Sequence, residues 1–266
     1  MYFKIAVIIC ICIIILLSPF AINAMEVKQS ISFYGGIAPE LGGSCYSYLQ
    51  DNTFGTPNVI DNYPNGINGI NKLKTGYNTS NVSKLVGLTS GISWKLIVYE
   101  FFAFKVSANY FNSVWGGKGT VVFNDGTNDR ELKCEYAIEG FDIPVTAGIS
   151  IPFYNAIRIS LTGGFAYAHG TYKNRFESES LFIYKGRFKG NAFPLVVNCE
   201  GEYFVNNSFA IMSSLSYYHG KTKSIKDYKQ SDLNTDYAPI DFSGYRYVIG
   251  ISYYFNNKWI IWSTNR

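Results

Sequence analysis

The sequence predicts an all-β fold, a transmembrane eight-stranded antiparallel up-and-down barrel, on three observations. Apolar residues recur at every second position in eight separate runs, the period of a strand with two unlike faces. The connections between runs alternate between a few residues and long polar segments, as in a barrel with one tight end and one elaborated end. One face of the runs holds almost no charge, while the other holds Gly, Ser, Thr, Asn and a few ionic residues. That asymmetry makes the barrel a membrane one.

The chain opens with a lone Lys4, an unbroken apolar run from Ile5 to Leu17, then Pro19 and a small residue at Ala24. This layout predicts a secretory signal peptide over residues 1–24; the run is short of the roughly 20 apolar residues that a spanning helix needs, with an uncleaved anchor as the alternative. The barrel is expected over residues 25–255, followed by a short tail at 256–266. No later run is long enough for a membrane helix, so any bilayer the protein enters must be crossed as strands.

In chain order, the first run sets Ile31, Phe33 and Ile37 against Ser32, Tyr34 and Gly36. The second sets Val86, Leu88, Ile92, Trp94 and Leu96 against Gly87, Thr89, Gly91, Ser93 and Lys95. A turn at 98–100 leads to the third, where Phe102, Phe104, Val106, Ala108 and Tyr110 oppose Ala103, Lys105, Ser107 and Asn109. Two strands so closely joined form a hairpin. The fourth, from Phe141 to Ile151, opposes Asp142, Thr146, Gly148 and Ser150; the fifth, from Ile157 to Tyr167, opposes Arg158, Ser160, Thr162, Gly164 and Ala166. The sixth, Phe193 to Tyr203, carries Asn198, Glu200 and Glu202 on its mixed face, and the seventh, Phe209 to Tyr217, carries Ala210, Ser214 and Ser216. The eighth runs from Tyr245 to Phe255 and is expected to close the barrel by pairing with the strand at Ile31.

Segments 39–84, 112–133, 170–189 and 219–244 are long, polar and rich in Asn, Gly, Asp and Lys, so they are read as external loops. The last two hold nine Lys and Arg against six Asp and Glu. These loops are where a host or other anionic surface ligand would be met.

A soluble barrel with an apolar cavity would carry many charges outside. Here the mixed face is too small in side chain and too poor in charge for a watery exterior, and it suits a narrow lumen. The apolar face therefore meets lipid, with aromatics such as Trp94, Phe102, Tyr110, Phe153, Tyr167, Phe193, Tyr203, Phe209 and Tyr217 forming interfacial girdles. Lys95, Lys105, Arg158, Glu200 and Glu202 fall toward the tight end of their strands and are expected to gather as one salt-bridged layer. Two other readings remain, a narrow pore and a secreted soluble barrel that binds a small apolar ligand.

Val248, Gly250, Tyr253 and Phe255 resemble the terminal-strand assembly signal of bacterial outer-membrane barrels. The mature chain resembles the small eight-stranded barrels of the OmpA/OmpX type, and "PVTAGISIPFYNAIRISLTGGFAYAHG" is similar to hairpins of the rickettsial surface-antigen barrels. The resemblance implies an integral place in the bacterial outer membrane, delivery by the barrel-assembly machinery through the terminal strand, loops on the cell surface, and a structural, adhesin or host-interaction role. One departure is the continuation "NNKWIIWSTNR" beyond Phe255, with Trp259 and Trp262 expected at the inner interface.

Other chemistry is sparse. His169 and His219 lie near the external strand ends without a serine at useful spacing, so no enzyme is expected. "GGKG" at 116–119 lacks the Lys-Ser/Thr ending of a phosphate loop and reads as a turn. Cys45, Cys134 and Cys199 are an odd set with no metal spacing, leaving room for one disulfide, Cys45 with Cys134 being the favoured pair. No metal or cofactor is expected. Removing Lys4 with the signal leaves a net charge of +3, from 22 basic and 19 acidic residues, too slight to argue for nucleic acid.

Overall fold

The computed structural model describes residues 27–39, 41, 78–80, 85–124, 129–153, 156–178, 182–222, 225–227, 232–233 and 240–255. The leader at 1–24, the tail at 256–266 with Trp259 and Trp262, and Cys45 lie outside them.

The strands in chain order are β1 Val27–Ala38, β2 Asn78–Ser80, β3 Val86–Val98, β4 Phe102–Trp115, β5 Lys118–Asn124, β6 Asp129–Phe153, β7 Ile157–Ser178, β8 Phe182–Ala192, β9 Leu195–Phe204, β10 Phe209–His219, β11 Ile225–Asp227, β12 Asp232–Leu233 and β13 Gly244–Phe255. Eight of them form the wall: β1, β3, β4, β6, β7, β9, β10 and β13, each antiparallel to the next. The circle closes where β13 pairs β1, with Tyr253 opposite Ile31 and Ile251 opposite Phe33. Closure removes both free edges, as a sheet in lipid requires.

The turns at the tight end are built from local chemistry. Tyr99 and Glu100 both take positive φ, 54° and 58°, and the Phe101 amide returns to the Val98 carbonyl at 3.2 Å. That is a primed turn within a three-residue connection, Tyr99 to Phe101, between the paired Val98 and Phe102. Between β9 and β10, Asn206 Oδ1 accepts from the Ser208 and Phe209 amides at 2.9 and 3.0 Å, an Asx-type turn.

The end that carries the long segments differs from the sequence reading. Segments 112–133 and 170–189 hold sheet rather than only loop: β6 is 25 residues long and β7 is 22. β5 and β6 form a raised hairpin that continues β4, and β7 and β8 form a second beside it. β4 hands over to β5 at "GGKG", where Gly116 and Gly117 take φ of 83° and 70°. A Cβ on Gly117 would stand 2.3 Å from the Tyr136 carbonyl oxygen, so only glycine fits this kink. β8 hands over to β9 at Phe193 and Pro194, where proline supplies no N–H for the ladder.

Candidate functional site

Alternation along each strand sorts side chains into two environments. Outward positions are large, apolar and bare: Phe33 is 64% exposed and Ile251 58%, with Leu161, Val197, Ile211 and Ile249 also exposed. Between Tyr245 and Phe255 the outward stripe covers ten residue steps, about 33 Å along the strand and about 25 Å along the axis at a tilt of about 40°. That is the height of a lipid-facing band. Rings mark both borders: Tyr167 stands 5.6 Å from Phe193 and Tyr217 4.9 Å from Tyr245 above, while Phe209 stands 5.0 Å from Tyr253 below. Cys199 is a free thiol on this outer face; Cys134 lies on β6 rather than in a loop.

The lumen is filled in layers. Toward the tight end, Lys95 Nζ lies 2.7 Å from Glu200 Oε1 and 2.5 Å from Glu202 Oε2, and Lys105 pairs with the second oxygen of Glu200. Glu200 is 1% exposed. Tyr254 Oη donates to Glu202 Oε2 at 2.6 Å, and the Lys95 and Lys105 ammonium groups sit over the rings of Tyr254 and Tyr34 at 5.7 and 5.8 Å. Buried charges hold only when paired and hydrogen-bonded, and this layer meets the requirement for four of the five residues that the sequence singled out.

Arg158 is the exception. Register sets it opposite Glu202, yet its guanidinium lies 5.9 Å over the Phe204 ring. Its Nε and Nη1, and Glu202 Oε1, have no hydrogen-bond partner among the described residues. The expected ion pair from Arg158 to Glu200 or Glu202 is therefore not made: Lys95 and Tyr254 both take Glu202 Oε2, and the Arg158 guanidinium turns to the Phe204 ring instead.

A second polar layer, which the sequence reading did not assemble, lies nearer the end that carries the raised hairpins. Arg246 pairs with Asp142 and stacks 3.8 Å over the Tyr218 ring. Asn109 donates to Asp142 Oδ1 at 2.7 Å and accepts from the Tyr34 hydroxyl at 2.5 Å, and the Tyr218 hydroxyl donates to Asp142 at 3.2 Å. Both ionic members occupy mixed-face positions of their strands. The available signal was cross-wall charge complementarity, which needs the barrel's register.

Between the layers is a cavity of about 30 Å³, bordered by Lys105, Asn198, Ser214 and Arg246. It has room for about one water. Above the second layer the lumen is capped by apolar side chains: Phe111 meets Phe242 edge-on at 5.9 Å, and Tyr172 stacks with Phe188 at 6.3 Å beside Ile138 and Ile240.

Of the terminal-strand residues, Val248 and Gly250 face the lumen, while Tyr253 and Phe255 face outward at the lower ring border. A Cβ on Gly250 would come within 2.6 Å of Tyr34 Cβ, so the glycine makes room for the tyrosine that reaches Asn109. Of the two histidines, His169 Nδ1 is 2.6 Å from Asn191 Oδ1 with its ring 5.4 Å from Phe141, and His219 ends β10 exposed.

The closed wall, the uncharged outer band and the filled lumen define a small eight-stranded barrel of the outer-membrane type. The chain is similar to several solved structures. The outer membrane protein OprG from Pseudomonas aeruginosa is 11% identical, with 88% of this chain and 97% of that one covered and a TM-score of 0.44. Ail, the attachment invasion locus protein of Yersinia pestis, is 14% identical over 86% of this chain and 99% of that one, with a TM-score of 0.34. A major outer membrane protein from Thermus thermophilus is 8% identical over 86% and 100%, with a TM-score of 0.44. No protein-family model and no curated protein matches the chain.

Proposed function

We propose that the protein is an integral, non-enzymatic barrel of the bacterial outer membrane, with its raised hairpins and long segments on the cell surface in a structural, adhesive or host-interacting role. The observation that carries this is the outer band: from Tyr245 to Phe255, and on every other wall strand between the ring borders, the outward face holds no Asp, Glu, Lys or Arg. An exterior of that kind in water would exceed by far the few hundred Å² of apolar patch that soluble monomers tolerate. The soluble-barrel reading puts that band in water and loses on this count. The pore reading is disfavoured by two paired polar layers, an apolar cap and a cavity of about 30 Å³ between them.

Surface proteolysis of intact cells, followed by detergent fractionation, tests the placement. Cuts confined to 39–84, the raised hairpins and 219–244, with the rest recovered in the membrane fraction, support it; recovery as a soluble species overturns it. Planar-bilayer recording should show no sustained single-channel current, and large steady currents would restore the pore.

A further inference from the structure

We propose that the cavity between the two polar layers binds one small monatomic anion, of the size of chloride, which takes its place as the wall closes. The site rests on the closed lumen, whatever the surface meets. Four strands around the wall supply its border: Lys105 from β4, Asn198 from β9, Ser214 from β10 and Arg246 from β13. All four side chains are buried, Arg246 at 4% exposed and Asn198 at 5%. A cavity of about 30 Å³ admits one halide ion and is too small for a phosphate, a sulfate or a carboxylate with its stem.

The groups around it carry donors that nothing else in the lumen takes up. Arg246 gives Nη1 to Asp142 Oδ2, while its Nη2 has no hydrogen-bond partner among the described residues. Asn198 Oδ1 accepts from the hydroxyls of Ser214 and Ser216, which fills its two lone pairs. The Nδ2 group on the other arm of that amide has no partner among the described residues. Lys105 donates to Glu200 with one of the three hydrogens that an ammonium offers. A buried donor loses its hydration without compensation unless something accepts from it. These three side chains share one cavity, so a single acceptor placed there serves them together.

The charge of the lumen makes that acceptor an anion rather than a water. From the tight end to the second layer, the buried ionic groups are Lys95, Lys105, Arg158 and Arg246 against Asp142, Glu200 and Glu202. Four cations against three carboxylates leave one positive charge. Arg158 carries it, with Nε and Nη1 unpartnered among the described residues and the guanidinium over the Phe204 ring. The remaining buried carboxylate, Asp241, lies in the cap between Ile240 and Phe242, at a bridge to Lys221. A charge taken out of water is costly unless an opposite one accompanies it, and in an interior of low dielectric that attraction reaches across a layer. A water accepts from two donors and leaves the lumen charged. A monovalent anion accepts from all three and makes it neutral, tying β4, β9 and β13 together across the lumen.

The test refolds the full chain from urea in detergent micelles at constant ionic strength, with chloride exchanged for gluconate, which is too large for the cavity. In wild type the folding equilibrium constant should rise up to about tenfold for a tenfold rise in chloride. Wild type refolded in bromide and desalted into gluconate should retain about one bromide per chain by X-ray fluorescence, since the paired layers and the cap close the cavity on both sides. Asn198→Leu, which fills the cavity and removes the unpaired amide, should lose both readings, as should Ser216→Leu, which fills it from the neighbouring strand; Lys28→Gln at the tight rim should change neither. A wild-type stability that ignores chloride, with no bromide retained, means a bound water only and overturns the proposal. So does a chloride dependence or a bromide count that survives in a filled variant whose heat-modifiable mobility shows it folded. Should neither filled variant fold, the wild-type readings decide: both present support the site, and either one absent overturns it.

Discussion

The lower and upper halves of β6 follow one alternation with opposite meaning. From Phe141 down, outward residues are apolar and inward ones polar, with Asp142 fully buried at a lumen ion pair. Above Gly140, which pairs with Gly170, the sides exchange: Tyr136 and Ile138 are buried inward, and Glu135 and Glu139 carry ion pairs outward. The backbone geometry is common to both halves. What changes is the medium outside the wall, hydrocarbon below and water or headgroups above, and with it the class of side chain that the interior must hold.

The comparison can be broken most severely at the lower polar layer. Glu200→Leu leaves Lys95 and Lys105 without their shared partner and should cost about 3–5 kcal/mol, read as a loss of urea resistance in vesicles. Changing Lys95 and Lys105 to Met together with Glu200 and Glu202 to Leu should recover most of that; an equal cost for both variants would mean that pairing does not hold the layer. Because Arg158 makes no such pair, Arg158→Met should cost less than Lys95→Met.

The exchange of sides itself is tested by arginine on the outer face. Ile249→Arg, within the band, should cost about 2–4 kcal/mol, whereas Ala137→Arg, outward but above it and opposite Lys173, should cost no more than about 1 kcal/mol. Equal costs would erase the boundary at Gly140. A smaller effect is expected at the second polar layer, where Tyr218→Phe removes the donor to Asp142 while keeping the ring under Arg246, for about 1 kcal/mol in the same assay.

The smallest change should be a gain. Tyr99→Asn with Glu100→Gly relieves two non-glycine residues of positive φ and should stabilise the barrel by up to about 1 kcal/mol, the part-buried Lys28–Glu100 contact that it removes offsetting some of the gain. A loss instead would show that the turn is held by more than its backbone.

The eight wall strands, their closure and four members of the lower layer were legible because hydrocarbon imposes an uncharged outer face, which leaves a period of two in the sequence. The raised hairpins were not. From 133 to 139 the outward residues are Lys133, Glu135, Ala137 and Glu139, which break the alternation when apolar-out is the template. The Asp142–Arg246 pair was hidden for another reason: its members are 104 residues apart, and nothing local specifies that their strands bring them to one height. Arg158 misled because position on a strand gives a direction but not a partner.

The seam between β1 and β13 sets the timing of assembly. Ser32 and Ser252 lie 2.8 Å apart across it, yet 220 residues separate them along the chain. Joining segments so distant costs about 2 kcal/mol more in chain entropy than joining segments some twenty residues apart. Until that late meeting happens, two rows of unpaired amides and carbonyls would face hydrocarbon, each costing several kcal/mol. A half-built wall therefore has no stable resting place in the bilayer, and entering the membrane and sealing the seam are one event, which cannot begin before the last strand has been made.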